Sequence, residues 1–245
     1  MKTKFQLLFT CMLPIVGLVW LSQLSQAATT ATNIMPVDAN VLALFPFDGD
    51  TTDISGNARH ATLISGTFTT TVHSQGLALT GGLGVEQGFQ WNNYAHFLVP
   101  PYTIEMILTP TQTDEYAKLF GSDDTNDSGW YYFTEGLRSY PNDSLGVGMV
   151  LPNRSHYIAF VSQSITTTAV YFQGQYLGIA NTDWMTSTLD AIFFNDDSDT
   201  TRYEQFAGIV EEVRISDVSR TAGEIAAVQA ILTPEHIYLP MIVQP

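Results

Sequence analysis

Cysteine is almost missing from this sequence: Cys11 is the only one in 245 residues. A single thiol excludes a disulfide framework and any metal site built from several cysteines. Cationic side chains are scarce too, with 9 Lys and Arg against 24 Asp and Glu, a formal net charge of −15. A surface of that sign repels phosphate backbones and anionic membranes, so nucleic acid is not expected among the partners. Long apolar runs are also lacking. The one extended run, residues 7–20, is short against the roughly 20 residues of a membrane span.

That run is informative for what surrounds it. Lys2 and Lys4 precede it, and Ser25-Gln26-Ala27 follows, with small residues flanking the bond. A positive start, an apolar centre and an A-x-A-like end mark a secretory signal peptide over residues 1–27. The competing reading is a retained anchor. Cleavage would remove Cys11, Lys2 and Lys4, leaving Lys118 as the only lysine. The remainder is expected to be secreted, extracellular or attached to a cell surface, with no membrane span. It is long enough to bury a substantial core without covalent staples.

Residues 28–40, rich in Thr, Ala and Asn, are expected to be a short leader, and residues 41–232 one domain. Apolar, β-branched and aromatic runs recur through it, such as Val41-Leu42-Ala43-Leu44-Phe45 and Tyr131-Tyr132-Phe133. Gly, Asn, Asp and Pro punctuate them about every 8–12 residues, the rhythm of an all-β sandwich. In the segment 102–108, Ile104, Met106 and Leu108 share one face of a strand, with Thr103, Glu105 and Ile107 on the other. One helix is expected: Thr221 and Glu224 have capping-box spacing ahead of Ile225-Ala226-Ala227-Val228, and Pro234 stops it. Residues 233–245 form an apolar tail, similar to the tails of exported bacterial proteins or else a last edge strand.

Four ordered stretches carry a family resemblance. They are Phe45-Pro46-Phe47-Asp48-Gly49-Asp50 with Asp53-Ile54-Ser55-Gly56-Asn57, then Tyr102 to Pro110, then Tyr157 to Val161 leading to Gln173-Gly174, and Phe206 to Ile215 before the helix. Together they resemble laminin-G-like domains of the concanavalin-A-like class. The resemblance implies a two-sheet antiparallel jelly-roll sandwich and an extracellular recognition module for glycans or a cell-surface protein. The chain departs from the family at Ser155-His156-Tyr157, where a Trp before His is usual, and at Gln173-Gly174, where Asn-Gly is usual.

Calcium is the sharpest chemical expectation. Hard cations take several oxygen ligands from carboxylates and carbonyls, and Asp48, Asp50, Asp53 and Asn57 supply oxygens in one loop. The resemblance adds Glu211 and implies a structural role for the ion. The alternative is turn chemistry, since Asp and Asn before Gly bond their own backbone. The acidic stretches 123–127 and 195–199 lack EF-hand spacing. Sugar rings need planar aromatic platforms, for which Trp91, Trp130, Tyr131, Trp184 and Tyr140 are candidates, Trp91, Tyr140 and Trp184 foremost. Trp91 and Trp184 have polar neighbours, as loop residues do.

No catalytic residue is expected. Glu105 stands alone on its strand, and Glu211 and Glu212, adjacent on a strand, should point to opposite faces. No nucleophile elbow or zinc-binding helix motif is present. Two other readings stay open: a structural or adhesive surface protein without a small ligand, and a glycan-active enzyme.

Overall fold

The computed structural model describes residues 33–92, 98–121, 128–134, 136–141, 143–146, 148–182, 191–196 and 204–233. Two antiparallel sheets and one short C-terminal helix make up a β-sandwich. The first sheet runs β13 (Gln175–Asn181), β12 (Thr167–Phe172), β11 (His156–Ser164), β6 (Tyr102–Pro110), β15 (Ala207–Ser216), β4 (Gln75–Thr80) and β3 (Thr67–Thr70), and β1 (Val41–Phe45) also pairs with β15. The second runs β10 (Asp143–Gly146), β9 (Gly136–Tyr140), β8 (Gly129–Phe133), β7 (Ala117–Gly121), β14 (Ala191–Phe193), β5 (Gly88–Trp91) and β2 (Thr62–Ser65).

Strand alternation decides which side chains meet between the sheets. Ile104, Met106 and Leu108 of β6 point inward and join Phe160, Trp130, Tyr132, Phe89 and Phe193 in the main core. Phe89 stacks on Phe193 at 4.7 Å between ring centroids, and Trp130 tilts against Phe160 at 4.6 Å. Ile107 faces the other way, into a second apolar cluster with Tyr157, Ala159 and Val161 on the outer side of the first sheet. Helix α1 (Ala222–Leu232) covers that cluster with Ile225 and Val228. Its N-terminus is closed by the expected capping box: Thr221 N–H donates to Glu224 Oε2 (2.8 Å), and Glu224 N–H to Thr221 Oγ1 (3.3 Å).

The hairpin between β12 and β13 turns at Gln173 and Gly174, both with positive φ (50° and 75°). A two-residue loop with both φ positive matches the strand twist, and a Cβ on Gly174 would lie 2.9 Å from Gln229 Cβ of the helix. The expected leader is not merely a spacer. Ile34 and Met35 are buried in the second cluster, 5% and 0% exposed, and their amides donate to Glu212 Oε1 (2.6 Å) and Oε2 (2.8 Å). Among the described residues no helix is long and apolar enough to cross a membrane.

Candidate functional site

The first-loop residues do not gather as a cation cage. Asp53 is buried and fully engaged: Leu44 N–H (3.0 Å), Ser55 N–H (2.8 Å) and Oγ–H (2.9 Å), and Arg59 N–H (2.9 Å) all donate to its carboxylate. Asn57 turns its amide NH2 to the carbonyls of Val41 (2.8 Å) and Leu42 (3.2 Å). Asp50, exposed, accepts from Thr52 N–H at 2.8 Å, a turn bond. Three of the five expected ligands therefore fasten the loop.

Asp48 and Glu211 do share a place. Both line a small cleft with Pro46, His73, Ser74 and Glu212. The expectation that Glu211 and Glu212 would face apart fails because β15 carries a bulge. Its pairing with β6 steps from Val210↔Leu108 to Glu212↔Ile107, so Glu211 is an extra residue that breaks the alternation. Burial raises both glutamates, Glu212 to about 7 against the two amides that lower it, and Glu211 against the opposing charge of His73. Asp48 accepts from Ser74 Oγ–H. Among the described residues no three Asp, Glu, His or Cys side chains converge closely enough to hold a metal.

Of the aromatic candidates, Trp91 is corrected. It is 0% exposed in the core, and its indole N–H donates to Arg59 O at 2.9 Å. Its polar neighbours follow from strand alternation at an element end, not from a loop. Trp184 lies outside the described residues. Tyr140 is half-buried on the outer face of the second sheet, beside Tyr131.

That face is set by pairing. Trp130, Tyr132 and Leu137 point into the core, so Tyr131, Phe133, Arg138 and Tyr140 point away from it. Lys118, Tyr131 and Arg138 are cross-strand partners in one row of β7, β8 and β9. Tyr116, just before β7, stacks flat on Phe133 at 4.0 Å and 8°. It meets Tyr131 and Tyr140 edge-on at 6.2 and 6.5 Å, while Tyr131 and Tyr140 meet at 6.1 Å. Arg138 lies alongside this stacked pair, 5.5 and 5.3 Å from the Tyr116 and Phe133 ring centroids, and donates from Nη1 to Tyr116 Oη at 2.9 Å. Beneath, Lys118 and Asp196 form an ion pair at 3.0 Å with both side chains 0% exposed, and Tyr131 O–H donates to Asp196 Oδ1 at 3.1 Å. The signal that could have found this cluster was the spacing of Tyr131, Phe133, Arg138 and Tyr140 at alternate strand positions.

A β-sandwich with an aromatic and hydroxyl-bearing outer face is thus the class the fold and site define. No protein-family model matches the sequence, and no curated protein matches it. Solved structures do. Domain 4 of AbnA, a GH43 extracellular arabinanase from Geobacillus stearothermophilus solved with arabinotriose, is similar at TM-score 0.61 and 16% identity, over 78% of this chain and 98% of that one. The binding domain of Paraclostridial Mosquitocidal Protein 1 is similar at TM-score 0.56 and 11% identity, over 78% of this chain and 52% of that one. Trypanosoma rangeli sialidase in complex with the inhibitor DANA is similar at TM-score 0.56 and 14% identity. This chain spans 35% of the sialidase chain, so the likeness covers a part of that enzyme. Identities this low show a shared fold.

Proposed function

We propose that this chain is an exported, non-catalytic glycan-binding module of the laminin-G-like jelly-roll type. The observation that carries the reading is the platform of Tyr116, Phe133, Arg138 and Tyr140 on the outer face of the second sheet. Rings there offer apolar faces to sugar C–H groups, and phenol and guanidinium groups offer hydrogen bonds beside them. The similar arabinanase domain solved with arabinotriose supports it. A cell-surface protein displaying such glycans is the natural partner. We also propose a structural calcium ion in the cleft of Asp48 and Glu211, with Asp50, Asp53 and Asn57 shaping the loop beside it. Bound there, the ion would supply positive charge to the buried carboxylates.

The test is calorimetric titration of the full chain with a panel of neutral and acidic oligosaccharides. Wild type binds at least one class, and Tyr140→Ala or Phe133→Ala weakens that binding by about tenfold, the size of one lost aromatic contact, with unfolding temperature little changed. Absence of binding across the panel would sink the reading in favour of a structural or adhesive protein. Turnover of a bound sugar would favour an enzyme instead.

A further inference from the structure

The geometry points to an acidic glycan, one bearing uronate-type carboxylates, as the ligand of this platform, and Arg138 as the residue that selects it. This rests on the glycan-binding reading above and specifies its substrate class. Cations are few in this chain, and the buried ones are neutralised from within. Lys118 pairs with Asp196, Arg214 grips Glu105 at 2.7 Å, and Arg220 pairs with Asp38 and Glu224. Arg138 is different. Its partners are the edge of a stacked ring pair and a neutral phenol, and among the described residues no carboxylate lies within ion-pair distance. Its Nε is buried without a hydrogen-bond partner, and Nη2 makes no hydrogen bond to a described residue.

Such a guanidinium is held ready for an anion. The guanidinium sits alongside the stacked Tyr116–Phe133 pair, and the bond from Nη1 to Tyr116 Oη limits its rotation, so part of its freedom is already lost before binding. Nε has no exposed surface, so a carboxylate would be met end-on, through Nη2 and the second N–H of Nη1. Tyr116, accepting from Nη1, keeps its own O–H to donate, and Tyr140 stands edge-on beside it. The net charge of −15 also limits the ligand. Densely sulfated chains are repelled at long range, whereas a carboxylate carried on an apolar sugar face meets the platform at close range.

The experiment compares full-chain binding of galacturonate, hyaluronate and alginate oligosaccharides and sialyllactose with their carboxyl-reduced or unsialylated counterparts, and with a heparin fragment. Wild type is expected to bind at least one carboxylated ligand about tenfold or more tighter than its neutral counterpart, the worth of a charge-assisted hydrogen bond. Arg138→Gln should weaken binding of the carboxylated ligand by about tenfold more than that of its neutral counterpart, bringing the two affinities together, and Arg138→Lys should restore only part of the preference. Unfolding temperatures of both variants check that the fold is intact. Equal binding of charged and neutral forms, insensitive to Arg138→Gln, overturns the proposal and leaves a neutral-glycan module. A preference for heparin over every carboxylated ligand overturns it too. Failure to bind any sugar overturns both the proposal and the reading beneath it.

Discussion

A neutral imidazole has one nitrogen that accepts, and at position 156 an N–H faces whichever nitrogen that is. His156 Nε2 lies 2.9 Å from both the amide N and the carbonyl O of Leu151, and Gln173 Nε2 approaches Nδ1 at 3.3 Å. A second proton would set donor against donor in a buried site beside the Phe172 ring, 5.1 Å away. Burial first, then the charge of Arg154, holds the ring below the ordinary histidine range, against the Leu151 bond that raises it. The unfolded chain therefore takes up the proton at higher pH than the native one, so stability falls as pH drops below about 6.5 and levels off below the native value. Glu212, raised to about 7, works in the opposite sense over the same window. The His156 contribution, at most about 1.4 kcal/mol per pH unit, is therefore read as the difference in slope between wild type and His156→Gln in urea unfolding at pH 7.5, 6.5 and 5.5. The variant should lose that contribution; an unchanged slope would remove His156 from the account. Single residues were also where the sequence was least legible. Trp91, between Gln90 and Asn92, is core, while Tyr140, between Ser139 and Pro141, faces outward, because strand phase and not neighbour polarity decides burial. Phase depends on which residue opens the strand, and Trp91 ends one.

Elements were easier to read where period and capping act locally. The inward set Ile104, Met106 and Leu108, the helix start at Thr221 and the Gln173-Gly174 turn all follow from short-range rules, and each is present. The β15 strand defeated the same reasoning at Glu211, since a bulge depends on its partner and leaves alternation in the sequence undisturbed. That one extra residue puts two glutamates in one cleft with Asp48. It also changes which substitutions report on calcium. If the ion binds there, calcium at a hundredfold excess over Kd adds about 2.7 kcal/mol, a rise in Tm of several degrees for a domain of this size. Glu211→Gln and Asp48→Asn should abolish the rise. Asp53→Ala should lower Tm with and without calcium and leave the increment intact, because Asp53 fastens the loop through four hydrogen bonds. Coincident curves in calcium and EDTA would end the proposal.

At the scale of the whole molecule, the single cysteine means that no internal disulfide supports the sandwich, and both faces of the first sheet must be covered by other means. Its inner face packs on the second sheet, which the alternating sequence announced. Its outer face carries charge as well as apolar surface. Arg214 holds Glu105 through two bonds of 2.7 Å, Tyr157 O–H donates to the same carboxylate, and Arg214 Nη1 reaches Pro36 O at 2.8 Å. Helix α1 covers part of this layer and the segment around Ile34 and Met35 covers the rest. Nothing in the composition of residues 28–40 revealed that role, since Ile34, Met35 and Val37 among Thr, Ala and Asn look like a linker until the buried network beneath Ile34 and Met35 is known. Replacing both by alanine, Ile34→Ala with Met35→Ala, uncovers the network and loosens the amides that hold Glu212. The expected loss is about 3–6 kcal/mol, from the methylenes removed and the partial exposure that follows. Urea unfolding of the full chain measures it. A spacer would leave the midpoint within about 0.5 kcal/mol of wild type, and that result would mean the first sheet keeps its outer face closed without this segment.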